Sequence, residues 1–316
     1  MFVSDPDPYL LPSYRICPFT TQDIAINHLL AEDSSIDNYF AHRFKGKPFY
    51  YTLTGRSAIN IALAAYRLLE DDVVTIFTTT ENFYISSCVT NEIEKFCKWS
   101  RKIEPGTKLI FVNHEFGIPY PSTRELKNYG LPIIEDCCTA FFSADKKKEM
   151  GTTGDFVIYS FPKMFPIQIG GLLVANQAVK DISVPVLPPM LLQYIKNVLS
   201  HYIVRKEDII QQRIHHYALL RASLKRLGCS ERLNAVAGVV PSVYMFTIDR
   251  PGVQLPMLKE QLYKHGIQCS VFYGEQAFFI PAHQALSETD IAYFVQVIET
   301  FLQNPPNEIC QYNTGS

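Results

Sequence analysis

From about Tyr50 to Asn176 the chain alternates short, almost wholly apolar runs with stretches of helical character. That alternation is what most restricts the folds open to it. Continuous Val- and Ile-rich runs belong to strands covered on both faces, and covering them needs helices on each side of a mostly parallel sheet. The pattern predicts strands at Val73–Phe77, Lys108–Val112, Pro132–Glu135, Phe156–Phe161 and Leu172–Ala175. Ser57–Leu69 reads as a helix, apolar nearly all round and therefore buried.

Beyond Asn176 the texture changes. The proline-rich stretch SVPVLPPM (Ser183–Met190) interrupts regular structure and marks a boundary. A long helical stretch runs from there to about Leu227 and carries His215 and His216, which read as surface or subunit-face residues. A strand (Val243–Ile248), a helix (Leu255–Lys264), a second strand (Ile267–Phe272) and a final helix through Leu302 complete the pattern. That last helix opens on a capping-box pair, Ser287 and Asp290. The predicted organisation is an N-terminal arm (1–49), a large α/β domain (50–182), a smaller C-terminal α+β domain (183–303) and a frayed tail (304–316).

Composition narrows the function. At 47% hydrophobic and 19% charged, the 316 residues can fill a large core and do not suit a disordered chain. With 29 Lys plus Arg against 31 Asp plus Glu there is no basic surplus for a phosphate backbone, so nucleic acid is not expected as a partner. No run reaches the roughly 18 apolar residues that span a bilayer, and the opening segment lacks the basic-then-apolar pattern of a signal peptide. Eight scattered cysteines without a CxxC pair read as reduced thiols rather than a metal site. These readings predict a soluble, cytoplasmic protein with no membrane partner.

Four segments carry candidate chemistry. TGRSAINIAL (Thr54–Leu63) is a Gly-containing turn opening a helix, a place where backbone N–H groups and the helix dipole suit a phosphate. LPIIEDCC (Leu131–Cys138) is a buried strand ending in two acids, and ligands of open α/β sheets bind outside the carboxyl ends of strands. Either Asp136 serves such a ligand or it caps the next helix. GTTGDFVIYSFPKMF (Gly151–Phe165) places Lys163 among Phe161, Pro162, Phe165 and Pro166, where partial desolvation would favour a neutral, nucleophilic amine. The other reading is a surface lysine. IGGLLVAN (Ile169–Asn176) sets paired glycines before a strand, which suits a close backbone approach.

A phosphate turn, a strand-end aspartate and a strand-end lysine, in that order, resemble the layout of fold-type-I pyridoxal-phosphate enzymes. Within them the chain resembles the DegT/DnrJ/StrS sugar aminotransferases. The likeness is carried by VNHEFGIP (Val112–Pro119), LPIIED (Leu131–Asp136), Gly151 with Gly154-Asp155, YSFPK (Tyr159–Lys163) and Gly170-Gly171. GIQCSVFY (Gly266–Tyr273) and the segment Phe278–Ile298 resemble that family's small domain. The resemblance implies pyridoxal 5'-phosphate as cofactor, a homodimer, and transfer of an amino group from a donor such as glutamate to a nucleotide-linked keto sugar. It makes Lys163 the lysine that bonds the cofactor and moves the proton, and Asp136 the acid that pairs with the ring nitrogen. Gly55 with the N–H groups of Arg56 and Ser57 would cradle the phosphate, with Ser160 nearby. Phe83 would stack on the ring, Tyr84 being the alternative. Thr139 stands where relatives place a Gln or His that reaches the cofactor's phenolic oxygen, and His114 falls in a strand-end motif near the substrate. For the donor carboxylate only Arg56 and Arg250 offer themselves. Two other readings stay open: a different reaction on the same cofactor, such as a dehydration or elimination, and a non-catalytic cofactor-binding protein.

Overall fold

The computed structural model describes residues 13–177 and 182–304, so residues 305–316 of the predicted tail and residues 1–12 of the arm lie outside it. Seven strands form the larger sheet: β1 (Phe49–Thr52), β2 (Val73–Thr78), β3 (Lys98–Ser100), β4 (Thr107–Asn113), β5 (Ile133–Asp136), β6 (Phe156–Ser160) and β7 (Gly171–Ala175). They lie in the order β1-β7-β6-β5-β4-β2-β3. The block from β6 through β5, β4 and β2 to β3 is parallel, and β7 runs antiparallel between β6 and β1. The five predicted strands are all present, as β2, β4, β5, β6 and β7, each with a boundary moved by one residue or so. In β7 all five residues are buried, and in β5 all four, which is why these strands read as unbroken apolar runs. The edge strands β1 and β3 are short and mixed, and sequence pattern alone did not predict them.

The helices are α1 (Gln22–His28), α2 (Ser35–Arg43), α3 (Gly55–Ala64), α4 (Ser87–Ile93), α5 (Pro189–Ile203), α6 (Lys206–Arg226), α7 (Leu255–Lys264) and α8 (Glu288–Gln303). α3 starts at the predicted turn, where Thr54 accepts the Ser57 N–H at 3.1 Å. It stops short of Leu69 because Arg67 takes a left-handed conformation, φ 48°, that a helix cannot continue through. The long helical stretch before Leu227 is two helices, α5 and α6, broken at Val204–Arg205. The second sheet is antiparallel, with β10 (Ser270–Phe272), β11 (Ala277–Pro281), β9 (Val243–Ile248) and β8 (Cys229–Glu231) in that order. The α8 capping box forms as predicted between Ser287 and Asp290.

Core packing draws the domain line elsewhere than at residue 183. Ile36, Phe40 and Phe44 of the arm and Val198 and Leu199 of α5 share one core with Val157, Tyr159, Phe161, Phe165 and Leu172. The small domain's core gathers Tyr217, Leu220 and Leu224 of α6 with Tyr244, Phe246, Phe278, Phe294 and Ile298. The proline-rich stretch is therefore a link on the surface of the large domain, and the change of core falls within α6. Among the described residues no helix is long and apolar enough to cross a membrane.

Candidate active site

The parallel strands β4, β5 and β6 end at the same carboxyl edge of the sheet, where Asn113 is register partner to Asp136 and Ser160 lies two residues beyond Asp136's partner Ile158. The chain leaves β6 through a single 3-10 turn, Phe161–Lys163. Two adjoining cavities open there. One, of about 280 Å³, is walled by Thr54, Gly55, Arg56, Asp136, Ser160 and Lys163. The other, of about 270 Å³, lies toward the small domain and is walled by Tyr84, Glu115, Phe116, Ser242, Phe272 and Tyr273. Ser86, Asn113, Thr139 and Lys163 border both.

The phosphate-type turn is seated by backbone contact. Gly171 is register partner to Thr52 on one side and Ser160 on the other, and a Cβ on it would lie 2.7 Å from the Thr54 carbonyl carbon and 2.8 Å from the Gly55 nitrogen. A Cβ on Gly55 would stand 2.9 Å from Ser160 Cβ. Glycine at both places lets the start of α3 press against the ends of β6 and β7. Gly55, Arg56 and Ser160 accordingly line the cavity. Ser57 does not: its N–H is taken by Thr54, its hydroxyl lies 2.9 Å from Thr54 Oγ1, and its side chain faces outward.

Asp136 is 5% exposed. Its Oδ1 accepts the Cys138 N–H at 2.9 Å, so it caps a turn rather than a helix, and the ligand reading rests on the other oxygen. Burial raises its pKa, partly offset by the Cys138 hydrogen bonds and by the charges of His114 and Lys163. A buried carboxylate to which no cation is bonded among the described residues, facing a cavity, suits a protonated ring nitrogen. With Lys163 and the Gly55 turn on the same cavity, the residues present fit pyridoxal 5'-phosphate.

Four expectations need correction. Lys163 is exposed rather than half-desolvated, because Phe161, Met164 and Phe165 turn into the core and leave the lysine on the cavity side. Phe83 is 76% exposed and borders neither cavity, whereas Tyr84, its alternative, lines the outer one with its ring 5.5 Å from that of Tyr273. His114 is wholly buried and touches no substrate space: its Nε2 donates to Glu135 at 3.0 Å and its Nδ1 accepts the Tyr120 N–H at 2.9 Å. Thr139 does border both cavities, and its hydroxyl also donates to the His114 carbonyl at 3.0 Å and accepts the Gly117 N–H at 3.2 Å, which locks the loop after β4. Arg250 is also out of reach, spent on the Leu302 carbonyl at 2.8 Å.

His114, Glu135 and Cys137 lie close enough to hold a metal ion. Their polar atoms are already used, however. Glu135 also accepts the N–H groups of Gly151, Thr153 and Gly154 at 2.6–2.9 Å, which explains the Gly151–Gly154 motif as a loop anchor. Burial pushes the Cys137 and Cys138 thiols well up, so neither suits a nucleophile.

Several residues that border the site were not singled out from sequence, although Asn113 and Glu115 lie within the VNHEFGIP segment that carries the family likeness. Asn113 faces both cavities beside Asp136. Glu115, 7% exposed, borders the outer cavity, holds the Thr80 hydroxyl at 2.6 Å, and has its pKa raised by burial. Ser242 is 6% exposed and its Oγ has no hydrogen-bond partner among the described residues. Ser242 is a single polar residue in an apolar context, and only the fold brings it to the same cavity as Asn113 and Glu115.

Fold and site together define the class: a fold of the pyridoxal-phosphate-dependent aminotransferases, with its candidate site at the carboxyl edge of the sheet. The chain is related by sequence to the DegT/DnrJ/EryC1/StrS aminotransferase family, whose model matches residues 95–182. A GDP-perosamine synthase of Vibrio cholerae is 30% identical over 158 residues, which are 43% of this chain and 42% of the synthase. The chain thus matches less than half the length of that relative. The aminotransferase TlmJ from Streptoalloteichus hindustanus superposes with a TM-score of 0.73 at 16% identity, over 90% of this chain and 95% of that one. The pyridoxal-phosphate form of a putative sugar aminotransferase, Spr1654 of Streptococcus pneumoniae, gives 0.69 at 15% identity, over 97% and 100%.

Proposed function

We propose that the protein is a pyridoxal-phosphate-dependent aminotransferase that moves an amino group from an amino acid such as glutamate to a nucleotide-linked keto sugar, working as a homodimer. The observation that carries the reading is the cavity shared by buried Asp136, Lys163 and the Gly55 turn. When bound there, pyridoxal 5'-phosphate supplies an electron sink for a carbanion at the substrate carbon. Asp136 keeps a proton on the ring nitrogen. The free Gly55 and Arg56 N–H groups at the start of α3, with Ser160, hold the phosphate. Lys163 Nζ would take the proton from the substrate carbon and deliver it to the cofactor carbon on the far side of the shared nitrogen, two atoms away, which is general acid–base work by a mobile amine. The outer cavity, with its Tyr84, Phe116 and Phe272 walls and the polar tips of Glu115 and Ser242, receives the substrate. The family match and the sugar aminotransferases among the structural neighbours support the sugar acceptor.

The test is a single half-reaction. Cofactor-loaded protein mixed with glutamate should release 2-oxoglutarate in amounts matching the bound cofactor, and the Lys163→Ala protein should release essentially none. Release of ammonia instead would support the lyase reading, and no product from any amino acid tried would support a binding role.

A further inference from the structure

The turn that presents Lys163 is short, and its backbone bonds are local: Met164 and Phe165 each donate to the Phe161 carbonyl at 2.9 Å. What fixes it comes from elsewhere in the fold. Arg213 of α6 donates through Nη2 to the Lys163 carbonyl at 3.1 Å and through Nη1 to the Pro241 carbonyl at 3.3 Å. Its Nε donates at 2.7 Å to Gln284 Oε1, and Gln284 Nε2 in turn donates to the Met164 carbonyl at 2.8 Å. Asn27 of α1 adds a third grip, on the Pro166 carbonyl at 2.7 Å. Carbonyls 163, 164 and 166 are thus each held by a side chain from a different element.

Arg213 is the largest wholly buried side chain among the described residues, and no carboxylate there pairs with it. Burying an arginine without a counter-ion is unfavourable, and its pKa is pushed down to about 9. A merely packed helix position would be better served by an aliphatic residue. The guanidinium's planar fork, by contrast, spans three acceptors in fixed directions. It also joins the Lys163 turn to Pro241, whose neighbour Ser242 lines the outer cavity.

We propose that Arg213 and Gln284 are positioning residues that clamp the backbone of the Lys163 turn, so that the small domain sets where the reactive amine sits. The inference rests on the reading of Lys163 as the cofactor-bonding lysine. It is tested on the full chain by timed reaction with pyridoxal 5'-phosphate, borohydride quenching, and quantification of the adduct at each lysine by mass spectrometry. The exposed Lys146, Lys147 and Lys148 serve as internal reference. In the native protein Lys163 should label much faster than the reference lysines. In Arg213→Met and in Gln284→Leu its rate should fall about tenfold relative to them, as loss of orientation produces, and Arg213→Lys, which keeps a donor, should recover part of it. Gln284 is only half-buried, so its variant decides the matter if Arg213→Met does not fold. Selective labelling that persists at the native rate in folded variants would overturn the clamp alone. Native protein in which Lys163 labels no faster than the reference would overturn the cofactor reading and the clamp with it.

Discussion

Asp136 and His283 are both buried ionisable groups, and their settings push them in ways that can be measured. For Asp136 the folded protein favours the neutral carboxyl, so above the ordinary carboxylate range its charge destabilises the cofactor-free fold. Asp136→Asn should therefore raise the melting temperature of the cofactor-free protein at pH 7 by about 2–4 °C. It should also weaken pyridoxal-phosphate binding by at least about tenfold, since the ring nitrogen loses its counter-charge. Calorimetry and a binding titration on the same samples check both signs. His283 donates from Nε2 to the Arg15 carbonyl at 2.8 Å and takes the Ala285 N–H on Nδ1 at 3.2 Å, and burial lowers its pKa to about 3. The unfolded chain binds that proton first, so native stability falls as pH drops from about 6.5 toward 3. Denaturant titrations from pH 7 to pH 5 should show a loss of about 2 kcal/mol that is largely absent in His283→Gln. At this scale the sequence was legible where backbone position decides placement, as for Gly55, Asp136 and Ser160, which the fold brings to one cavity. It misled for Phe83, which stands exposed, and for His114, whose ring is turned away from the cavities by Glu135 and the Tyr120 N–H.

At the scale of elements, the close seating of α3 on the strand ends is the feature most open to a test. Gly171→Ala puts a methyl against Thr54 and Gly55 backbone. The expected result is a displaced turn, with weaker binding of both inorganic phosphate and cofactor and a loss of about 1–3 kcal/mol of stability from overpacking. The N-terminus of α8 is the control. Ser287→Ala removes a capping box that borders neither cavity, and should lower stability by about 1 kcal/mol while leaving cofactor affinity unchanged. Thermal melts and cofactor titrations of the two variants separate the effects. The central strands and α7 were readable because continuous apolar runs and helical spacing are local signals. β1, β3 and the break between α5 and α6 were not, because edge pairing and a single non-helical residue leave little trace in hydrophobic pattern.

For the whole molecule, one packed core unites the arm, α5 and the large sheet, a second holds the small domain, and the candidate site lies where the two meet. That arrangement was hidden in sequence: a proline-rich boundary says where regular structure stops, not which core the next helix joins. The central claim, that this meeting place binds pyridoxal 5'-phosphate through Lys163, has a direct test. Purified protein mixed with the cofactor is measured by visible absorption before and after borohydride, in native and Lys163→Ala forms. The account predicts a yellow band in the native protein that borohydride abolishes while fixing the cofactor to Lys163, and no such band in the variant. A native protein that stays colourless, or a variant that keeps the reducible band, would contradict it.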